Sequence, residues 1–449
     1  MSALAALPID VARALAIAGV ATAAGAALGA IARRRLALAA IALCLAMPPI
    51  AIAYAWAATP GLHRVADPAH VVLAALRLAP LALAVALIAP PAPLGARGLH
   101  CERLAGAGAA RLARRWWLQG PGRRWLIALL ALMPLAFAEF EIGARFAVGA
   151  WAVRLFDAQA GGRPVSATLI DAAPGVAVQL AALIGAGALM RRRGAVAEAP
   201  PEPGRARRIA GWSVLGAAVA ALVVAPLARL LPTIDVAALD PAIARELAAT
   251  ALFAVAAATC AWALTAPLAG RRPWLIAALL APGLCGSLVI GLLGLATLRA
   301  TPAAGLATTP LPLLIALVAI ALPFALTARV ALAAPRSASV HVAALLASGS
   351  AAQRSAGERL RWRASGRFAW LAWTLVMWWC AGDLAASSIL HPIGMTPALV
   401  LLYNFMHYGE SAALTSRLVL AVVAPLAIAA AAYAAMRGGH RLLHGGARG

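Results

Sequence analysis

The chain has 449 residues, of which 64% are hydrophobic and only 12% charged, and its mean hydropathy is +0.89. Repeated apolar runs of about 20 residues match the ~30 Å hydrocarbon core of a bilayer, so an all-α polytopic membrane protein is predicted. All 38 basic residues are arginine. Without lysine the chain can form neither a P-loop nucleotide site nor a pyridoxal phosphate Schiff base, and no cofactor is expected. The five cysteines form no spacing typical of zinc.

The apolar segments, taken in chain order, predict eleven membrane-spanning helices. The predicted spans are 11–31, 36–58, 70–90, 125–143, 168–190, 210–232, 246–268, 274–297, 311–332, 368–390 and 412–435. Each is close to the ~20 residues that a helix needs to cross the hydrocarbon core. The chain is predicted to divide into a first half, 1–200, with five spans, and a second half, 201–449, with six.

The arginines lie mostly on one side of these spans. Of the 38, 27 fall in alternate connections: Arg33–Arg35, 91–124, 191–209, Arg271 with Arg272, 333–367 and the C-terminal tail. By the positive-inside rule that side is cytoplasmic, which places the N-terminus outside and the C-terminus inside. The net charge of +23 is then a matter of topology, and no nucleic-acid partner is expected.

The two halves resemble each other in sequence. The segment VARALAIAGVATAAGAALGAIARRR near the N-terminus is similar to the segment that begins at Ile243. Related positions are separated by an offset that grows from 232 to 247 residues: Arg13 with Arg245, Glu141 with Asp383, and Phe156 with Tyr403. An even number of crossings separates the copies, so a parallel duplication is predicted, with a pathway between the halves.

One connection has an unusual spacing of polar and turn residues. In CERLAGAGAARLARRWWLQGP, residues 101–121, Glu102 is followed by Gly108, then by Leu118 and Pro121. The segment is predicted to form a short helix under the membrane. An acid suits the start of a helix, a glycine allows close backbone approach and a proline marks where the next span begins.

This spacing resembles the cytoplasmic signature E-A-A-x3-G-x9-I-x-L-P of the permease subunits of bacterial type I ATP-binding-cassette importers. The matching positions are Glu102, Gly108, Leu118 and Pro121. The departures are Arg103 and Leu104 in place of the two alanines, and Gly120 in place of the second apolar residue. A degenerate second copy is expected at 341–363, with Ala343 in the place of the acid, Gly349 as the glycine and Trp362 in the place of the proline.

A further segment, Ala381 to Leu414, is similar to the closing half of the double-length permeases of iron(III) importers; thiamine, phosphonate and polyamine permeases are related. The resemblance implies a bacterial inner-membrane permease that passes iron(III) inward. Its implied partners are a separate dimer of ATPase subunits, which docks on the two loops, and a periplasmic substrate-binding protein. Such permeases usually have six spans per half, so the first half is expected to lack its opening span.

The acids near the outer ends of two spans are candidates for the pathway, because ionisable groups at membrane depth usually face a cavity or a partner. The pathway candidates are Glu139, Glu141 and Asp383. A helix cap, or an ion pair of Glu141 with Arg145, is the alternative. Tyr403 and His407 are further candidates, and a structural loop or a contact with the binding protein is expected there in preference to a metal site.

Two other classes of protein stay open at this stage. An ion-coupled secondary transporter would share the duplicated architecture but would not need the Glu102–Gly108 loop. A polytopic membrane enzyme would need a polar catalytic cluster at one interface, and no such arrangement is recognisable in the sequence. No enzymatic activity of the chain itself is expected.

Overall fold

The computed structural model describes residues 3–32, 34–191, 203–235, 241–268, 280–333, 342–343, 345–347, 349–362, 366–408 and 414–421, with single positions between 423 and 438. Every regular element in these ranges is helical. Within the described ranges, six helices are long and apolar enough to cross a membrane, or seven if the bent pair Leu36–Ala46 and Pro49–Ala57 forms one span. The chain is therefore an all-α multi-pass membrane protein, as its composition predicts.

The first half begins with a long helix and alternates longer helices with shorter ones. Its helices are α1 (Ala3–Leu28), α2 (Arg35–Ala46), α3 (Pro49–Ala57), α4 (Ala66–Ile88), α5 (Ala96–Leu104), α6 (Ala109–Leu118), α7 (Arg123–Phe137), α8 (Glu141–Arg145), α9 (Trp151–Ala160) and α10 (Val165–Arg191).

A long helical segment, Arg205–Thr233, follows; it comprises α11 (Arg205–Val219), a π-helical turn, α12 (Ala225–Leu230) and a final 3-10 turn. The later helices are α13 (Ala242–Leu268), α14 (Ser287–Ala300), α15 (Leu311–Ala333), α16 (Ala351–Arg361), α17 (Arg367–Ala381), α18 (Ala385–Leu390) and α19 (Ala398–Tyr408). The predicted last span, 412–435, lies partly outside the described residues.

Three predicted spans are wrong as continuous helices. The segment 36–58 bends by 77° between α2 and α3, 125–143 is split into α7 and α8, and 368–390 is split into α17 and α18. A fourth, 274–297, lies partly outside the described residues, and in its described part α14 begins only at Ser287. Helices of 14 or 15 residues, such as α7, α14 and α17, reach about 22 Å, which is less than the ~30 Å core.

Each break has a local cause that an apolar count does not register. Pro48 holds Met47 extended and Pro49 holds Pro48 extended, because a residue before proline is kept out of the helical region. The acids Glu139 and Asp383 lie in the other two breaks, where their carboxylates accept hydrogen bonds from freed backbone N–H groups.

The order of packing in the first half recurs in the second. Helices α1, α4 and α7 pack against one another in every pair, and α13, α15 and α17 do the same. Likewise α3 packs on α8, and α14 packs on α18. This recurrence is what a duplicated chain would show, and the boundary near residue 200 stays a prediction.

The helices approach closely through small residues. A Cβ added to Gly25 in α1 would lie 2.8 Å from the Cβ of Ala82 in α4, so the backbones are nearly in contact there. Small residues have this role in helical membrane proteins generally. The segment Arg205–Thr233 packs on α1, α2 and α3 of the first half, and the Trp56 indole donates to the carbonyl of Ala221 over 2.7 Å.

Candidate functional site

Four helix breaks meet around one central cavity of about 100 Å³. Three of the breaks follow α2, α7 and α17, and the fourth lies just before α14. Each contributes a residue to the lining: Pro49, Glu141, Ser287 and Asp383. Two of these breaks belong to each half, so the cavity lies where the two halves meet. The breaks expose polar backbone groups only where they face protein or a cavity.

Glu139 is held firmly on the first-half side of the cavity. Its carboxylate lies 2.6 Å from the Nε2 atom of His70, and both side chains are buried. The same carboxylate accepts hydrogen bonds from the backbone N–H groups of Ile142, at 2.8 Å, and Gly143, at 3.2 Å. Glu139 therefore caps α8 and binds α4 to α7, in addition to lining the cavity.

Glu141 and Asp383, which the repeat predicts to be equivalent, make equivalent contacts. Glu141 accepts from the backbone N–H of Ile50, at 3.0 Å, at the start of α3. Asp383 interacts with Ser287, the first residue of α14, and accepts from the N–H of Ser387, at 3.0 Å. Each acid thus lies at the N-terminal end of a broken helix, where the helix dipole favours a negative charge.

Both acids therefore cap helices, which was the alternative to a position in the pathway, and both also line the cavity. The suggested pair of Glu141 with Arg145 is replaced by another contact, since the Arg145 guanidinium lies 5.4 Å from the centre of the Tyr54 ring.

The sequence analysis missed one residue that lines the cavity, Arg77, and one that contacts a lining residue, His70. Arg77 of α4 lines the cavity beside Glu139 and Glu141, and its guanidinium lies 5.0 Å from the ring centre of Trp379 in α17. His70 stands behind Glu139. A lone arginine in the middle of the predicted span 70–90 is a signal that could have identified Arg77, because intramembrane charges are costly and usually functional.

The cavity has a polar lining. Its charged lining residues are Arg77, Glu139, Glu141 and Asp383, and its volume suffices for a few water molecules. No group of three or more His, Cys, Asp or Glu side chains in the described ranges is arranged to hold a metal ion.

Tyr403 lies in an aromatic cluster beside the cavity. Its ring centre is 5.5 Å from that of Phe156 and 6.2 Å from that of Phe140. Phe156 is the residue that the repeat pairs with Tyr403, so two equivalent side chains contact each other between the halves. His407 lies one turn further along α19, and its side chain is outside the part of the chain that is described.

The predicted coupling loop is two helices and not one. Helices α5 and α6 are joined by a turn in which Gly106 has a φ of +82°, a conformation that favours glycine. The predicted position of Glu102 at a helix start is wrong: it lies in the last turn of α5, where it forms an ion pair with Arg115 of α6. Gly108 is the N-cap residue of α6, Leu118 is the last residue of that helix, and Pro121 follows shortly before α7.

Helix α6 is amphipathic but buries none of its residues within the chain. Its exposed tryptophans, Trp116 and Trp117, are 38% and 43% accessible. A groove of about 450 Å³ lies between α5 and α6, lined by Leu99, His100, Arg103, Leu112, Ala113, Trp116 and Pro121. The loop therefore presents apolar and basic groups on the arginine-rich side of the protein.

The second loop forms a comparable helix in a different register. Helix α16 begins at the N-cap residue Ser350, whose hydroxyl accepts from the N–H of Gln353, and Gly349 precedes it. Matching the two N-caps pairs Gly108 with Ser350, at the same offset of 242 as Glu141 and Asp383. Ala343 is buried, so the position assigned to the acid does not present a side chain to a partner.

Comparison of the chain with protein-family models, with curated proteins and with solved structures finds no match.

Proposed function

We propose that the chain is the integral membrane permease subunit of an ATP-driven type I importer, and that a separate ATPase dimer drives it. The observation that carries the proposal is the α5–α6 pair. It bears the Glu102–Gly108 spacing, lies on the arginine-rich side, and presents an amphipathic helix with no buried residue. An amphipathic helix that leaves all its residues accessible in its own chain is suited to dock on another protein.

The mechanism we propose is alternating access at the central cavity. Closure of the ATPase dimer would move α5 and α6, and α7, which begins five residues after the end of α6, would carry the movement to the break at Glu139. The recurring packing of the two halves supports a rigid-body motion of one half against the other. A periplasmic binding protein would deliver the substrate from outside.

Iron(III) is proposed as the substrate from the likeness of 381–414 to iron(III) permeases, and thiamine, phosphonate or polyamine are the alternatives within the same class. The bacterial inner membrane is the proposed location. The charged lining of the cavity supports a polar substrate, which would pass through in an open state of the protein.

The first test replaces Gly108 by leucine. Gly108 has an ordinary φ of −64°, and an added Cβ would meet nothing within 4 Å, so the chain itself tolerates the larger side chain. Gly204 is a matched control, since it is also a helix N-cap on the arginine-rich side, with a φ of −60° and the same open surroundings. We expect Gly108→Leu to abolish ATP-dependent uptake at normal membrane abundance, whereas Gly204→Leu retains it. Normal uptake in Gly108→Leu would contradict ATPase docking at this helix.

The second test separates the internal ion pair from contact with a partner. Glu102→Arg breaks the pair with Arg115, and the double variant Glu102→Arg with Arg115→Glu restores it in reverse. The pair is partly exposed and contributes at most about 1 kcal/mol to stability. If Glu102 contacts an ATPase, the double variant stays inactive although its ion pair is restored. Recovery of uptake in the double variant would assign Glu102 a purely internal role.

An ion-coupled secondary transporter is the second candidate, because charged residues line a cavity formed by broken helices, as in many such transporters. The two candidates differ in their energy source. Purified chain in proteoliposomes, given an imposed proton gradient and no nucleotide, would accumulate substrate only if it were a secondary transporter. The importer permease would accumulate substrate only with its ATPase and ATP.

A further inference from the structure

We propose that Phe140, Phe156 and Tyr403 form the outer gate of the central cavity, a hydrophobic plug to which both halves contribute. The proposal rests on the cavity being part of a transport pathway, whichever energy source drives it. Phe140 lines the cavity, whereas Phe156 and Tyr403 lie behind it, further from the cavity. The three rings pack together with centre distances of 4.4, 5.5 and 6.2 Å.

The position of the plug follows from the repeat. Phe156 lies on α9 and Tyr403 on α19, which occupy corresponding places in the two halves. When two residues related by a two-fold axis contact each other, their contact lies at that axis. A pathway between two parallel halves runs along the same axis. The Phe156–Tyr403 contact therefore lies on the line that a substrate would follow.

The plug is on the outer side of the cavity. Helices α7 and α17 begin at the arginine-rich, cytoplasmic connections, and α9 and α19 come after the breaks at their far ends. The rings are also held in place from outside the cluster. Arg154, about half a turn from Phe156 and so on the other side of α9, contacts Asp10 of α1 with its Nη2 atom 2.5 Å from Oδ2. The plug would open when α9 and α19 move apart.

A leak assay tests the gate without ATP, an ATPase or an identified substrate. Three packed aromatic rings leave little room for water, and a hydrophobic constriction of this kind blocks ions by staying dry. The double variant Phe156→Ala with Tyr403→Ala is reconstituted in liposomes that hold a pH-sensitive dye, under a potassium gradient with valinomycin. We expect its proton leak to exceed that of the unaltered chain at least about tenfold.

Phe137→Ala is the matched control. Phe137 is as buried as Phe140 and packs on Trp151, with ring centres 5.0 Å apart, but it does not line the cavity. Its variant should show the leak of the unaltered chain. An equal rise in Phe137→Ala, or no rise in a correctly inserted double variant, would overturn the gate.

A second measurement tests the proposal if the double variant does not insert into the membrane. In a chain with its five cysteines replaced by alanine, Phe156→Cys is labelled from outside with a membrane-impermeant thiol reagent, with and without Tyr403→Ser. Labelling is expected to be slow with Tyr403 and at least about tenfold faster with serine, because loss of the aromatic ring opens space in the plug that water can fill. Equal rates would overturn the proposal. Since neither experiment involves Gly108, the gate and the ATPase-driven function can each fail independently.

Discussion

The replacement of Gly286 by alanine is a demanding test of how the broken helices meet at the cavity. Gly286 precedes α14 with φ of +102° and ψ of 150°, a conformation that L side chains rarely adopt. An added Cβ would also lie only 2.4 Å from the Cβ of Ala138, at the break after α7. Alanine at this position therefore has two separate costs: an unfavourable backbone conformation and a steric clash with Ala138.

The expected loss of stability is the sum of these two contributions. The backbone conformation costs about 1–3 kcal/mol for a residue other than glycine. Overpacking a filled site costs about another 1–3 kcal/mol. We therefore expect Gly286→Ala to lower the free energy of unfolding by roughly 2–6 kcal/mol.

Unfolding by increasing SDS in mixed micelles measures this change. The control is Gly216→Ala in α11, an exposed helical glycine where an added Cβ meets nothing within 4 Å, and where alanine should stabilise the helix slightly. The double variant Gly286→Ala with Ala138→Gly should recover only the packing contribution. A Gly286→Ala protein as stable as the original would refute the described break, and full recovery in the double variant would refute the backbone contribution.

Two further predictions concern the buried polar pairs. His70→Leu leaves the carboxylate of Glu139 buried without its side-chain partner, so a loss of about 3–5 kcal/mol is expected, and His70→Leu with Glu139→Gln should recover part of it. Arg417→Met should cost a similar amount, because Arg417 lies 3.3 Å from Glu246 and both are buried; adding Glu246→Gln should restore much of the stability. The same SDS titration measures both, and single variants as stable as the original would mean that these pairs contribute little.

Several features of the candidate site were predictable because they are local in the sequence. The acids Glu139, Glu141 and Asp383 are conspicuous in apolar surroundings, and they do line the cavity. Their capping contacts were foreseen only as an alternative, since a cap depends on which helix start comes near. The ion pair of Glu102 with Arg115 was not foreseen, because the loop was predicted as one helix and the pair spans a turn between two.

The breaks in the spans were hidden for a physical reason. Hydropathy counts apolar residues over about 20 positions and is insensitive to where a helix stops within them. A proline or glycine in such a run is compatible with a continuous span as well as a broken one, because neighbouring helices can satisfy the freed backbone groups. Whether Gly286 marks a break was therefore decided by what packs beside it.

The sequence by itself determined the class of protein, an all-α multi-pass membrane protein, and it predicts an orientation in the membrane. Repeated apolar runs of about 20 residues indicate helices in a bilayer, and the uneven placement of arginines indicates their direction. Neither signal depends on how the helices pack. Only the tertiary structure brought Arg77 against Trp379 and Phe156 against Tyr403, residues that lie hundreds of positions apart. Such contacts depend on how whole helices pack, and small residues such as Gly25 and Ala82 determine this through backbone approach and not through any local pattern.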